Sequence, residues 1–193
     1  MRLRNVKNKE SILNSSQYLV KNAEENKGKW ASVFGNDKPI YIEIGMGKGK
    51  FIIENAIKNP DINFIGIEKF DSVLAKSLPK IPEGLDNVLR VRMDALNIDN
   101  VFSKEIDRIY LNFSDKKKKN RHHLRRLSSR VFLEKYDSIF RKDMVIYQRT
   151  DNQALYIYSL ESYSEHGCVL SDISFDLHKD KDDKHISKYK LKY

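Results

Sequence analysis

The chain has 193 residues, of which 33% are charged and 40% are hydrophobic, a balance typical of a globular protein rather than a disordered one. Lysine and arginine outnumber aspartate and glutamate by 36 to 27, and the net charge of +9 favours a polyanionic partner, such as nucleic acid or an anionic membrane surface. The single cysteine, Cys168, excludes an internal disulfide and a cysteine-based zinc site. No apolar run approaches about 20 residues, so no membrane-spanning helix is expected. The polar first residues do not form a signal peptide, and we expect a cytoplasmic protein.

The first 38 residues are polar, and one helix is predicted there, with an apolar stripe on Ile12, Leu13, Leu19, Val20 and Ala23. From residue 39 onward, strands alternate with helices. The predicted strands cover residues 40–44, 63–68, 87–93, 106–113, 144–149 and 170–177. The predicted helices cover residues 51–57, 72–78, 126–140 and 153–165.

This alternation predicts an α/β fold of the Rossmann-like kind, in which right-handed βαβ units build a mostly parallel sheet with helices on both faces. We predict a single domain over residues 1–193, made of a helical extension (1–38), the core (39–178) and a charged tail (179–193). Lysines interspersed among the aspartates of the tail predict a solvated loop rather than a metal site.

A glycine pattern, Gly45-x-Gly47-x-Gly49, follows the first predicted strand and leads into a helix. Glycine lets the backbone turn sharply and approach a ligand closely, and the N-terminus of the next helix favours anionic groups. In an α/β sheet the ligand lies beyond the carboxyl ends of the strands, where this loop lies. The pattern alone is weak evidence, because an ordinary turn between a strand and a helix can contain the same glycines.

Three acids at successive strand ends strengthen the prediction of a nucleotide site. Glu43 and Glu68 lie at the ends of the first two strands, and Asp94 follows the third. A carboxylate in the position of Glu68 can accept two hydrogen bonds from ribose hydroxyls, and Asp94 could accept one from an adenine amine. These acids fit NAD as well as S-adenosylmethionine. The spacing of the glycines favours S-adenosylmethionine, and a nicotinamide-dependent oxidoreductase stays as an alternative.

A strongly basic segment follows the fourth predicted strand. Asp115 precedes residues 116–126, and seven of those eleven residues are lysine or arginine. The segment is either a solvated loop or a rim that grips phosphates beside an active site. His122 and His123 lack partner cysteines or acids at ligand spacing, so we predict no metal site. Asp151 and Asn152, after the fifth strand, face the same crevice, and either of them could also cap the next helix.

Several segments taken together are characteristic of one known family. The densest is Glu105-Ile106-Asp107-Arg108-Ile109-Tyr110-Leu111-Asn112-Phe113-Ser114-Asp115, and the others are residues 1–5, 27–30, 34–36, 42–49, 59–68, 94–95, 121–122, 125–127, 150–153 and 176–178. On these segments the sequence resembles the bacterial tRNA (guanine-N7)-methyltransferases over almost its whole length. The resemblance implies a class I methyltransferase fold. It also implies methyl transfer from S-adenosylmethionine to N7 of the variable-loop guanosine at tRNA position 46.

The motifs and the resemblance together assign the site residues. The predicted cofactor-binding residues are Glu43, Gly45, Gly47, Glu68, Asp94 and Asp115. The predicted substrate-binding residues are Lys119, Arg121, Arg125, Arg126, Asp151, Ser187 and Tyr189. Asp115 is also the predicted catalytic residue, because its carboxylate can offset the positive charge that develops on the methylated guanine. The expected partner is tRNA, with no membrane or metal partner, and we expect a monomer or a homodimer.

The sequence departs from the family pattern in two places. The family has Ser-Asp-Pro-Trp-Pro-Lys-Lys-Arg-His where residues 114–122 here are Ser-Asp-Lys-Lys-Lys-Lys-Asn-Arg-His, so a rigid turn and a stacking surface are lost. The family's Thr-x-Tyr-Glu appears as Ser187-Lys188-Tyr189-Lys190, and the sheet could lack its final strand and have a shortened C-terminal edge. A second hypothesis therefore stays open: a tRNA- or RNA-binding homologue with a decayed substrate pocket.

Overall fold

One sheet organises the computed structural model, which describes residues 6–113 and 124–175 and the backbone of residues 189–190. Within those residues the strands are β1 (Leu19–Val20), β2 (Ile40–Ile44), β3 (Asn63–Glu68), β4 (Val88–Arg92), β5 (Arg108–Asn112), β6 (Val145–Arg149), β7 (Val169–Leu170) and β8 (Tyr189–Lys190). Their order across the sheet is β1-β4-β3-β2-β5-β6-β8-β7. The first six strands in that order are parallel, and β8 is antiparallel to both of its neighbours. The predicted α/β class with a mostly parallel sheet is confirmed.

Helices cover both faces of this sheet. They are α1 (Lys9–Ser15), α2 (Trp30–Phe34), α3 (Lys50–Lys58), α4 (Asp71–Ser77), α5 (Ile98–Val101), α6 (Arg130–Ile139) and α7 (Gln153–Glu165), with short 3-10 turns at Ala23–Asn26, Leu78–Lys80 and Ala95–Asn97. Buried side chains of α2, α5, α6 and α7 form one apolar cluster. Those of α1, α3 and α4 form a second cluster against the other face. This is the three-layer arrangement expected of a doubly wound sheet.

Alternation along β2 explains how the two faces differ. Ile40, Ile42 and Ile44 pack in the first cluster, whereas Tyr41 packs beside the second. Because successive side chains of a strand point to opposite faces, Glu43 shares the face of Tyr41. A carboxylate is therefore directed into a face that helices cover, and this position decides its role in the site.

The N-terminal segment differs from the predicted single helix. Leu19 and Val20 lie beyond the end of α1 and form β1, which pairs in parallel with Arg90 and Val91 of β4. The Arg90 amide also donates to the Tyr18 carbonyl at 2.7 Å. The helical stripe through Leu19 and Val20 is wrong, because the strand that pairs with them lies far along the chain and local periodicity does not report it.

The C-terminal half differs from the prediction at three points. α6 begins at Arg130 rather than at residue 126, because Ser129 is extended and its hydroxyl donates to the carbonyl of Leu124 at 2.9 Å. The strand predicted over residues 170–177 is wrong over residues 171–175, because Asp172 adopts a left-handed φ of 53°, and residues 176–177 lie outside the described residues. The final strand is present as β8, within the tail that was predicted to be a solvated loop, so the sheet keeps its last strand although that strand is only two residues long. The rest of the tail lies outside the described residues.

Glu105 fastens the segment between β1 and β2 to the core. Its carboxylate accepts from the amides of Gly28 and Trp30, both at 2.9 Å, and from the amide of Ser103 at 3.1 Å. The Trp30 side chain is fully buried, and its Nε1 donates to the carbonyl of Val101 at 2.9 Å. One carboxylate thus satisfies three backbone amides that α2 and the adjacent turns leave unpaired.

We expect Glu105→Ala to lower the free energy of unfolding by about 3 kcal/mol, because it leaves buried amides without an acceptor. The matched control is Glu134→Ala, which removes an exposed carboxylate paired with Arg130 at 2.7 Å on the surface of α6. That change should cost at most about 0.5 kcal/mol. Urea denaturation of both variants measures the difference, and equal effects would contradict the anchoring role of Glu105.

Candidate active site

The carboxyl ends of the parallel strands lie together at one edge of the sheet. From β2 the strand order runs through β3 and β4 on one side and through β5 and β6 on the other, so it reverses at β2. Ligands of open α/β sheets bind in the crevice at such a reversal. The loop after β2 and the residues that follow β3, β4 and β5 therefore form the candidate site.

Three left-handed glycines shape the loop between β2 and α3. Gly45, Gly47 and Gly49 have φ values of 74°, 57° and 72°, a conformation that costs other residues about 1–2 kcal/mol each. The amides of Gly45 and Met46 both donate to the carbonyl of Ile67 in β3, at 2.9 and 3.1 Å. The loop is therefore fastened to β3 before it enters α3, and the sharp glycine turn predicted from the sequence is present.

Glu68 closes the loop from the side of β3. Its Oε2 accepts from the Gly47 amide at 3.2 Å, and its Oε1 accepts from the amides of Lys69 and Phe70 at 2.9 and 3.1 Å. A carboxylate has about four acceptor positions, so at least one is left for a ligand after these three contacts. Glu68 thus lies beside the glycine loop with at least one acceptor position left for a ligand hydroxyl.

Asp94 is engaged through both carboxylate oxygens. Oδ1 accepts from the Leu96 amide at 3.1 Å, and Oδ2 accepts from the Lys69 ammonium group at 2.5 Å. The Lys69 side chain is 58% exposed, so it can leave this pair at small cost. A ligand amine that approached Asp94 would compete with Lys69, and the predicted adenine contact of Asp94 stays a prediction.

Glu43 lies beneath the loop and is only 3% exposed. Its Oε1 accepts from Asn112 Nδ2 at 3.0 Å, which joins β2 to β5. Its Oε2 is buried and has no hydrogen-bond partner in the described part of the chain. Burial raises the pKa of Glu43 to about 7, against the opposing effects of the Asn112 hydrogen bond, the Arg90 charge and the Ile52 backbone amide. The raised pKa places the ionisation of the Glu43 carboxyl group near neutral pH.

Arg90 is a fully buried cation in the same row as Glu43. The strand registers place Glu43 opposite Gly66 and Gly66 opposite Arg90. Gly66 makes the room, because a Cβ at that position would collide with the Met46 sulfur and crowd the Arg90 side chain. Arg90 Nη1 donates to the Leu89 carbonyl at 3.1 Å, whereas Nε and Nη2 have no hydrogen-bond partner among the residues described. Burial lowers the pKa of Arg90 to about 10, and the charge of Glu43 opposes that shift.

Sequence motifs do not indicate the roles of Asn112 and Arg90. Asn112 could have been found from strand alternation, because it lies on the same sheet face as Glu43 on the neighbouring strand. The signal for Arg90 was an arginine in the middle of a strand, with apolar residues on both sides of it. Arg90 belongs to no glycine or strand-end motif, and Asn112, at the end of β5, contacts the Glu43 side chain, so motifs that mark ligand contacts do not indicate either role.

Two exposed apolar side chains were also missed. Phe70 follows Glu68 and is 44% exposed, and Leu96 follows Asp94 and is 41% exposed. Both lie just beyond the strand ends that carry the acids, so they add apolar surface to a crevice whose other groups are polar. Apolar surface combined with a few polar acceptors is the usual character of a small-molecule site.

The substrate side of the site is described in part. Asp115, Lys119, Arg121 and Ser187 lie outside the described residues, and only the backbone of Tyr189 is described, as part of β8. The two described arginines of the basic segment lie just before α6. Arg125 is exposed, and the Arg126 guanidinium lies 4.2 Å from the centre of the Tyr158 ring.

Asp151 lies at the same edge of the sheet as Phe113, the last described residue before the basic segment. Asn112 of β5 pairs with Arg149 of β6, so the segments that follow these strands begin side by side. Asp151 is exposed, and the side chain that caps α7 is that of Asn152, whose Oδ1 accepts from the Leu155 amide at 2.9 Å. In the described parts of the chain no helix is long and apolar enough to cross a membrane, and no three His, Cys, Asp or Glu side chains cluster to hold a metal ion.

Comparison with known proteins identifies the family. A family model described as a putative methyltransferase matches residues 37–192. A tRNA (guanine-N(7)-)-methyltransferase of a Geobacillus strain is 51% identical to this chain over 92% of its length and 82% of the relative's length. The chain belongs to the tRNA (guanine-N7)-methyltransferase family. Relatives of that name from Lachnoclostridium phytofermentans and Streptococcus suis are 48% and 46% identical, over 92% and 93% of this chain and 84% and 86% of their own lengths.

Solved structures share the fold of this methyltransferase family member at low sequence identity. An antibiotic-related methyltransferase superposes with a TM-score of 0.60 at 17% identity, over 89% of this chain and 92% of that one. A mutant 16S rRNA (adenine(1408)-N(1))-methyltransferase from Catenulisporales acidiphilia, solved with cosubstrate SAM, gives 0.58 at 11% identity, over 79% of this chain and 85% of that one. The predicted class I methyltransferase fold is therefore confirmed.

The buried position of Glu43 predicts a measurable effect of pH on stability. The unfolded chain ionises Glu43 near its ordinary pKa of 4.5, whereas the folded protein keeps the proton up to about pH 7. Stability therefore falls as pH rises through that window, by up to about 3 kcal/mol relative to a variant without the ionisable group.

Glu43→Gln provides that variant, because it keeps an oxygen that can accept from Asn112. Free energies of unfolding, measured by urea denaturation at about pH 5 and about pH 8, should shift in favour of Glu43→Gln as the pH rises. If both proteins showed the same dependence on pH, Glu43 would not carry the raised pKa.

Proposed function

We propose that this chain transfers a methyl group from S-adenosylmethionine to N7 of the guanosine at position 46 of tRNA. The observation that carries the proposal is the glycine loop held by Glu68, whose carboxylate accepts from the Gly47 amide at 3.2 Å. This loop follows β2, and the neighbouring strand β5 is the one that precedes the basic segment in the chain. The names of the relatives supply the substrate and the atom that is methylated. S-adenosylmethionine supplies, when bound, a methyl group on a positively charged sulfur.

The cofactor residues fit this ligand in their chemistry. We assign the ribose hydroxyls to Glu68, which has an acceptor position left, and the adenine amine to Asp94 after Lys69 withdraws. Phe70 and Leu96 offer apolar surface for the faces of the base. The buried Oε2 of Glu43, which lacks a hydrogen-bond partner in the described structure, suits the amino group of the methionine part.

The substrate residues follow from the chemistry of guanine. N7 has a free lone pair and no proton, so its attack needs no general base. The N7–carbon bond forms as the sulfur–carbon bond breaks, the electron pair of that bond goes to sulfur, and the purine becomes positively charged. We assign Asp115 to offset this charge and to accept from the N1–H and N2–H edge, with Asp151 sharing in base recognition. Lys119, Arg121, Arg125 and Arg126 are assigned to phosphates of the tRNA.

The decisive test is incubation of the protein with radiolabelled S-adenosylmethionine and unmodified tRNA, followed by mapping of the labelled nucleoside. We expect label in 7-methylguanosine at position 46 and none in a tRNA that carries adenosine at that position. Absence of label on every tRNA would overturn the proposal. Binding of tRNA without any transfer would favour the hypothesis of an RNA-binding homologue with a decayed pocket.

Asp115→Ala tests the catalytic assignment. We expect the methylation rate constant to fall about 100-fold, because stabilisation of developing charge is lost, while affinity for tRNA changes little. The matched control is Asp86→Ala, which removes an exposed acid from the turn that precedes β4. Wild-type methylation by Asp115→Ala would remove Asp115 from the catalytic role.

A further inference from the structure

The described structure resumes within the basic segment at residue 124. Residues 124–129 are here termed the arginine arm. It carries Arg125 and Arg126 and leads into α6. Ser129 holds the arm in a tight turn: its hydroxyl donates to the Leu124 carbonyl at 2.9 Å, and its amide donates to the Arg126 carbonyl at 2.9 Å. The backbone that carries these cations is therefore folded against the core rather than extended into solvent.

A buried chain of hydrogen bonds connects this arm to α7 and β6. The Tyr163 hydroxyl of α7 donates to Gln148 Oε1 of β6 at 2.6 Å. Gln148 Nε2 donates to Ser159 Oγ of α7 at 2.8 Å. Ser128 Oγ, in the arm, lies 2.7 Å from Ser159 Oγ. Four side chains thus join the arm, β6 and α7.

The direction of each bond follows from the hydroxyl of Ser159. Its single proton goes to the Leu155 carbonyl one turn earlier, at 2.7 Å. Its lone pairs must then accept from both Gln148 and Ser128, so Ser128 is the donor in the bond that joins the arm to α7. Ser128 and Gln148 are 2% exposed and Ser159 is fully buried, so solvent cannot replace a lost bond without a structural change.

The strand β6, which carries Gln148 of this network, also leads to Asp151, three positions after Gln148. Tyr158, the neighbour of Ser159 on α7, lies against the Arg126 guanidinium at 4.2 Å. A cation–π contact leaves the guanidinium its positive charge, so Arg126 can still attract a phosphate. The elements that hold Arg126 and the strand that leads to Asp151 are therefore tied to each other by directional bonds.

We propose that Ser128, Gln148, Ser159 and Tyr163 are positioning residues that fix the arginine arm relative to Asp151 for the binding of tRNA. This proposal rests on the proposed function and deepens it. An apolar cluster could stabilise the same contact, but a polar network in which every member is satisfied specifies one arrangement and resists sliding. The network thus acts on RNA affinity through Arg126, not on the cofactor side of the crevice.

Ser128→Ala is the sharpest test, because it removes only the bond between the arm and α7 and leaves Ser159 its contact with Gln148. We expect the KM and the Kd for tRNA to rise about fivefold, the factor of one net hydrogen bond, with kcat and the affinity for S-adenosylhomocysteine unchanged. Ser128→Thr keeps the hydroxyl and should restore most of the tRNA affinity.

Ser77→Ala is the matched control. Ser77 is a fully buried serine in α4 whose hydroxyl donates to the Leu74 carbonyl at 2.9 Å, on the opposite face of the sheet. The Ser77→Ala substitution removes a similarly buried hydroxyl but changes nothing in the arm. It should therefore leave the KM and the Kd for tRNA at wild-type values. Equal tRNA affinities of Ser128→Ala and Ser77→Ala would overturn the proposal.

A double-mutant cycle separates positioning from a merely structural role. If Ser128 acts by placing Arg126, then Ser128→Ala should have little further effect on tRNA affinity in an Arg126→Gln background. Full additivity of the two changes would overturn the proposal. A wild-type protein that binds tRNA but transfers no methyl group would contradict the proposed function. In that case the Kd values of the variants for tRNA would still decide whether the network positions the arm.

Discussion

A carboxylate buried at the seam between β2 and β5 is the constraint on which the crevice depends. Side chains of β2 alternate between the two faces of the sheet, so the isoleucines enter one apolar cluster and Glu43 points to the opposite face. Because helices cover both faces, the sheet buries this acid together with the isoleucines. An isolated buried charge is costly. For Glu43 that cost is reduced by the Asn112 hydrogen bond and the nearby charge of Arg90, and the raised pKa lets the group stay protonated.

The same row of residues explains the glycines at two positions, Gly49 in the loop and Gly66 in β3. Arg90 occupies space that side chains at Gly66 and Gly49 would fill: a Cβ on Gly66 would crowd it, and a Cβ on Gly49 would lie 3.0 Å from its Nη2. Glycine at position 49 therefore serves both the left-handed turn and the packing of a buried cation. The crevice above presents acids, whereas the arginine arm at the other side of the site presents cations. That division of charge suits a sulfonium cofactor on one side and a polyanionic RNA on the other.

Much of the fold was predictable, because β2, β3 and α7 have the boundaries that local periodicity gives. β1 and β8 were not, since two-residue strands are defined by the distant strands they pair with, and the start of α6 was displaced by hydroxyl bonding at Ser129. In the site, the glycine loop and the acids were evident because motifs mark residues that face a ligand. Asn112, Arg90 and the network around Ser159 were not, because they support those residues from within the core, where tertiary contacts and not local patterns assign partners.

The central claim is that this crevice binds the adenosine of S-adenosylmethionine through Glu68. Calorimetric titration of the protein with S-adenosylhomocysteine and with NADH tests it most directly, with Glu68→Gln as the variant. We predict one saturable site for S-adenosylhomocysteine, no binding of NADH, and an affinity at least about tenfold weaker in Glu68→Gln, because a charged acceptor of the ribose hydroxyls is lost. Saturable binding of NADH, or an unchanged affinity for S-adenosylhomocysteine in Glu68→Gln, would contradict it.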